Sequence, residues 1–240
     1  CNKYANIRKK KVFNESEGID YIEKRNDILF KECAPDPASL IKKKDFVVGI
    51  PRCFSIYTLW PLYSWFFHTL GIETFVSEEI SPEGTARVES SYCFPAEIAH
   101  GAVQDILNRK IDYIFLPHFR DMESYEEIAP ACFCPITQGL PYYIKKAFPE
   151  IPDEKYLTPV VSFMYGIEKA TEHFITMAAK LGIGENEAKN AFNIAYEKQM
   201  ECFARFTELG KQALEEARRA QRPVIALLGR PYNSFTADAN

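Results

Sequence analysis

Short runs rich in β-branched and aromatic residues, punctuated by proline, glycine or polar loops and separated by helix-length stretches, most constrain what this chain can fold into. Residues 45–50 (DFVVGI) end at Pro51 and read as a buried strand. A helix over 55–70 closes at Gly71, a residue suited to the C′ position, and 72–76 read as the second strand. After a polar loop to Tyr92, Pro95 sits in the first turn of a helix reaching Arg109, and residues 112–116 (DYIFL) form a third strand closed by Pro117. Residues 131–136 are a weaker fourth strand, 140–148 a helix and 157–163 a fifth strand. Strands alternating with helices predict right-handed crossovers, and so an α/β fold with a doubly wound, mainly parallel sheet.

The flanks differ from this core. Residues 1–44 are polar and lysine-rich, with a helical stretch around 21–33 and a break at Pro35 and Pro37; they read as an N-terminal arm. The α/β domain proper covers 45–164. Long helices over 165–181 and 185–221, joined at Gly182 and Gly184, make a helical connection over 165–222, with Phe192, Tyr196, Phe203, Phe206 and Leu214 as a packing stripe. Residues 223–228 (PVIALL) then run into Gly229-Arg230-Pro231-Tyr232, echoing 47–52 (VVGIPR), so 223–240 read as the incomplete start of a second α/β unit. Opening on Cys1, with no initiator methionine, fits the same expectation of a longer parent protein.

Charge and composition narrow the partners. A formal net charge of −4 over 240 residues, with no basic stripe interleaved with aromatics, gives no reason to expect nucleic acid. The longest apolar stretch, 56–70, carries Pro61 and His68 and falls short of the roughly 20 residues a bilayer span needs, so it reads as a buried helix. No secretory leader is expected, because Lys9, Lys10 and Lys11 run into Asn14, Glu15 and Glu17 rather than an apolar core. Seven cysteines, an odd number in a chain too long to need disulfide stapling, point to a reducing compartment, the cytoplasm. The chain has no Walker loop, GxGxxG fingerprint or GxSxG elbow, so no ATP site, dinucleotide site or serine hydrolase is encoded.

In open α/β sheets, ligands collect beyond the carboxyl ends of the strands. Cys53 follows the first strand, Cys93 opens a helix and Cys134 lies in the expected fourth strand, so all three are candidates to face one rim. A helix N-terminus favours the thiolate of Cys93, and thiolates select iron–sulfur clusters, zinc or copper(I). There is no CxxC pair, and Cys132 and Cys134 on one strand face fit two packed thiols equally well. Arg52 and Arg230 end strands at that rim and suit either an anion such as a CoA phosphate or turn stabilisation. His100 reads as a packed helix histidine and His118 as a loop residue.

Several motifs recur in an order that resembles a known family. They are Gly49-Ile50-Pro51-Arg52 with Tyr57 and Pro61; Phe66-Phe67-X-Thr69-Leu70-Gly71, then Ser77; Ser90-Ser91-Tyr92-Cys93-Phe94-Pro95-Ala96 with Ala99-His100-Gly101; 112–117 (DYIFLP); Cys134-Pro135 with Pro141; and Gly229-Arg230-Pro231-Tyr232-Asn233. Together they resemble the activase-related domain of the 2-hydroxyacyl-CoA dehydratase and benzoyl-CoA reductase superfamily. The resemblance implies an iron–sulfur electron-transfer or reductase module with Cys93 and Cys134 as cluster and metal ligands, a further family cysteine lying in the downstream unit. It also implies an ATP-hydrolysing activase domain or subunit as partner, the second α/β unit of the same parent chain, and an acyl-CoA as possible substrate. Cys53 and Cys132 depart from the family pattern, as substitute ligands or as packing residues. The alternative is a non-catalytic scaffold or subunit-interaction domain that has lost the cluster.

Overall fold

The computed structural model describes residues 19–89, 93–123, 131–224 and 228–236. Its strands are β1 (Val47–Ile50), β2 (Glu73–Val76), β3 (Tyr113–Phe115), β4 (His118–Met122), β5 (Ala131–Cys132), β6 (Tyr156–Leu157) and β7 (Val160–Phe163). Its α-helices are α1 (Tyr21–Asp27), α2 (Ile56–Thr69), α3 (Pro82–Thr85), α4 (Phe94–Leu107), α5 (Pro135–Ala147), α6 (Thr171–Lys180), α7 (Glu185–Arg219) and α8 (Pro231–Ser234). The first sheet is wholly parallel in the order β2-β1-β3-β6, with Val48 opposite Thr74 on one side and Tyr113 on the other. The chain passes from β1 to β2 on one flank and to β3 on the other, which puts the topological switch point between β1 and β3.

A second sheet, β5-β4-β7, continues two strands of the first. Proline has no N–H to give to a ladder, so pairing breaks at Pro117 and Pro159 and resumes beyond them. The backbone of Leu116 donates to Leu157 and that of His118 donates to Pro159, both at 2.9 Å, which carries the alignment across the break. Two expectations are corrected here: Pro117 interrupts a strand instead of closing it, and residues 157–163 form two strands, not one. The segment β4 (HFRDM) escapes a hydrophobic-pattern reading because one of its buried positions is a carboxylate. Asp121 accepts from the Ser162 hydroxyl at 2.6 Å and from the backbone N–H groups of Phe163 and Met164 at 3.0 Å, tying β4 to the end of β7 across a bulge.

Helices cover both faces of the parallel sheet, as the doubly wound reading requires. Val48, Ile50, Phe115 and Leu157 join α2, α6 and α7 in one core, whereas Ile114, Leu116 and Tyr156 join α4 and α5 in the other. Gly49 is demanded by the second packing, since a Cβ there would stand 2.2 Å from Ile106 Cγ2 on α4. On the long helix α7 the expected stripe holds for buried Phe192 and partly buried Tyr196, Phe203 and Phe206; Leu214 is exposed and lies outside it.

Proline within α2 shapes how the first core closes. Pro61 cannot donate to the carbonyl one turn back, and α2 kinks at Leu59 (φ −111°, ψ 17°). Side chains from distant elements satisfy the freed groups: Arg25 Nη2 donates to the Tyr57 carbonyl at 2.7 Å, Gln199 Nε2 donates to the Thr58 carbonyl at 3.0 Å, and Gln199 Oε1 accepts from the Leu62 N–H at 3.2 Å. Arg25 comes from α1, and the π-helical turn Ile28–Glu32 behind it buries Ile28 and Leu29, with Cys33 next in the chain, so this part of the expected arm is part of the core. The expected strand over 223–228 falls partly on residues 225–227, outside the described residues, as do 1–18, 90–92, 124–130 and 237–240. Among the described residues no helix is long and apolar enough to cross a membrane.

Candidate thiol site at the carboxyl rim

Helices α4 and α5 each lead back to the start of a parallel strand, β3 and β6, so their N-termini lie toward the carboxyl end of the first sheet. Both begin in the same way. A cysteine occupies the N-cap and a proline sits in the first turn, where its fixed φ suits the helix and its missing N–H costs nothing. Cys93 is extended (φ −155°) and half-buried, and its side chain makes no capping bond; its carbonyl accepts the N–H of Ala96 at 2.9 Å.

Cys134 is held more firmly. Its Sγ accepts the Thr137 N–H at 3.5 Å and lies 3.2 Å from Thr137 Oγ1 and 3.8 Å from the Tyr232 hydroxyl. Burial works against ionisation here, but bonds from the Thr137 hydroxyl and amide, the Tyr232 hydroxyl and the Ile136 amide outweigh it and hold the thiol below its ordinary pKa. Arg230 Nη1 donates to the Tyr232 hydroxyl at 3.2 Å, placing a cation behind that group. His118 Nδ1–H donates to the Gln138 carbonyl at 2.8 Å and so pins the first turn of α5 to the start of β4. Cys134 is therefore not in a strand, as the sequence suggests: β5 ends at Cys132, which is exposed, and Pro135 with the Thr137 cap turns the chain into a helix.

The other predicted residues take different places. Cys53 is 4% exposed inside the second core, and burial pushes its thiol up to about 12, so it packs beneath the rim instead of facing it. Arg52 follows β1 with its N–H donated to Ser77 Oγ at 2.7 Å; its guanidinium stacks 3.8 Å from the Phe30 ring centroid, and its Nε has no hydrogen-bond partner. His100 is buried, with Nδ1–H donated to the Ala96 carbonyl at 2.7 Å and its pKa pushed down by that burial.

Three contributors escape a reading of the sequence. Thr137 supplies the cap for Cys134, and its position three residues on, the N-cap to N3 spacing, is the signal for it. Tyr232, from α8, packs edge-on to Phe54 at 4.8 Å and so brings the C-terminal segment onto the β1–α2 turn. Phe54 holds φ +43°, a left-handed conformation that strains a non-glycine residue by about 1–3 kcal/mol, at the switch point itself.

Iron–sulfur clusters are commonly held by four cysteine thiolates, and among the described residues no group of three or more His, Cys, Asp or Glu is disposed to hold a metal ion. Cys93 and Cys134 carry donor atoms of the right chemistry and do not by themselves make a complete set. The fold and site thus define a doubly wound α/β domain with cysteine-capped helices at its carboxyl rim. The family model described as the CoA enzyme activase uncharacterised domain matches residues 47–240, and the chain belongs to that family. No curated protein and no solved structure matches it.

Proposed function

We propose that this domain is a thiolate-donating part of an iron–sulfur module in a CoA-enzyme activation system, with Cys93 and Cys134 each supplying one ligand and the remainder coming from outside the described residues. The observation that carries this reading is the hydrogen-bonded Cys134 sulfur at a helix N-cap, the environment that favours a thiolate. Such a cluster, when bound, supplies one-electron chemistry. The chain's own part is to hold the sulfurs: Thr137 and Tyr232 orient Cys134, and hydrogen bonds to a ligating sulfur tune a cluster's potential. With no ATP motif in this sequence, ATP hydrolysis belongs to a partner activase domain or subunit, an acyl-CoA is the expected class of substrate, and the cytoplasm is the fitting compartment.

Anaerobic reconstitution of the full-length protein, with iron and acid-labile sulfide measured in wild type, Cys93→Ala and Cys134→Ala, tests the reading. Iron and sulfide that fall in both variants support it; a protein that takes up neither sinks it. The lack of any three-donor group among the described residues favours a second reading, a scaffold or subunit-interaction domain that has kept the fold and lost the cluster. That reading gains if both variants keep the iron content and activity of the wild type.

A further inference from the structure

We propose that Cys33 and Cys202 are a redox-active dithiol, a modification site that hydrogen peroxide converts reversibly into a disulfide tying the N-terminal segment to α7. Both are free and belong to the first core, Cys33 at 7% exposure and Cys202 at 0%, and their thiols hydrogen-bond each other. The elements that carry them hold this meeting in place. Cys33 ends the π-helical turn Ile28–Glu32; its N–H donates to the Ile28 carbonyl at 2.9 Å and its carbonyl accepts from Trp65 Nε1 at 2.8 Å. Cys202 lies within α7. Arg205, three residues on and so on the same helix face, pairs with Glu32 and donates from Nη1 to Cys33 Sγ at 3.9 Å. Phe206, one turn past Cys202, packs under the Arg25 guanidinium, with Cζ 4.5 Å from the ring centroid. Around Cys202, therefore, α7 is seated on the 25–33 segment, and both sulfurs stand on backbone that other contacts fix.

The two thiols are not equivalent. Burial raises both, but the hydrogen bond between them lowers Cys33 and raises Cys202, the pattern of Cys202 donating its S–H to Cys33. With Arg205 beside its sulfur and the greater exposure, Cys33 is the attacking thiolate and Cys202 the resolving thiol. In the first step the Cys33 sulfur attacks peroxide: an S–O bond forms, the O–O bond breaks, and the departing hydroxide leaves as water with the proton that Cys33 gave up. In the second the Cys202 sulfur attacks the Cys33 sulfenic acid: the S–S bond forms, the S–O bond breaks, and hydroxide leaves as water with the Cys202 proton. Two electrons pass from the sulfurs to the peroxide, and a dithiol reductant returns them. The segment fixed in this way also supports the rim, since Asn26 Nδ2 donates to the Phe235 carbonyl at 2.8 Å and the Phe30 ring stacks on Arg52.

The reaction is independent of any metal, so the test uses full-length protein that is reduced and metal-free. Hydrogen peroxide is added until exposed Cys132 is fully oxidised, remaining thiols are blocked, and the protein is digested with trypsin without reductant. Peptide 32–42 should appear joined to peptide 199–205, at a mass about 2 Da below the sum of the two thiol peptides, and dithiothreitol should separate them. Cys202→Ser should abolish the joined peptide and leave a sulfenic acid at Cys33 that dimedone labels. The peptide map of the wild type decides without that variant if it folds poorly. Peptides 32–42 and 199–205 left unjoined once Cys132 is oxidised, or either of them joined to a different cysteine, would overturn the proposal.

Discussion

Replacing Gln199 with leucine should destabilise the protein by about 2–6 kcal/mol, although the change keeps most of the side chain's bulk and touches no thiol. The Gln199 side chain, wholly buried, satisfies the Leu62 N–H and the Thr58 carbonyl, both freed by the Pro61 kink in α2. Leucine offers neither a donor nor an acceptor, and each stranded buried group costs about 1–3 kcal/mol. Urea unfolding followed by tryptophan fluorescence suits the measurement, because both tryptophans, Trp60 and Trp65, lie on α2 itself. Pro61→Ala supplies the control: with a normal N–H at 61 the helix can close its own bonds, so Gln199→Leu should cost at least about 1 kcal/mol less in that background. A cost below about 0.5 kcal/mol in the wild-type background, the level of an ordinary surface change, would refute the reasoning. So would the same cost in both backgrounds.

Other consequences follow from the same geometry. Alkylation of Cys134 followed by mass spectrometry against pH should titrate below the ordinary thiol value near ~8.5, and Tyr232→Phe should move that midpoint upward, while Cys53, pushed up to about 12, stays unlabelled in the native protein at neutral pH. Burial of Asp121 opposes its charge, but bonds from Ser162, Arg120 and the Met164 amide win and depress its pKa. Its stabilisation is therefore fully present above the unfolded value near ~3.9 and lost as pH falls through the folded value. Asp121→Asn should cost about 2–3 kcal/mol at pH 7 and flatten that acid limb in pH-dependent urea unfolding. Gly49→Ala should lower stability by about 2–3 kcal/mol in thermal denaturation, because its Cβ would collide with Ile106 unless α4 moves away; an unchanged melting temperature would contradict the close packing.

The sequence made the first three strands and the long helices between them legible because Pro51, Gly71 and Pro117 punctuate the runs and β1 and β3 are strongly apolar, while β2, a partly exposed edge strand, is marked by Gly71 before it and the polar loop after it. Cys93 was legible as a helix start through Pro95. Cys134 was not, since cysteine is an unusual N-cap and the run around it resembles a strand until Thr137 is seen as its partner. Strand β4 stayed hidden because Asp121 is buried through bonds to residues more than 40 positions away. The same holds for the contacts that close the first core and the rim. Arg25 reaches Tyr57 across 32 positions, Gln199 reaches Thr58 across 141, and Tyr232 approaches Cys134 across 98; no local pattern encodes such pairs.

The reading of Cys93 and Cys134 as metal-binding thiolates is tested most directly by alkylating the full-length protein under anaerobic conditions before and after reconstitution with iron and sulfide. Ligation occupies the sulfur lone pairs that attack an alkylating reagent, whereas packing shields a thiol equally with or without metal. Both cysteines should label readily in the metal-free protein and become protected once iron is bound, with exposed Cys132 labelling in both forms as the internal control. Equal labelling of Cys93 and Cys134 in the two forms, with iron demonstrably taken up, would contradict their assignment as ligands.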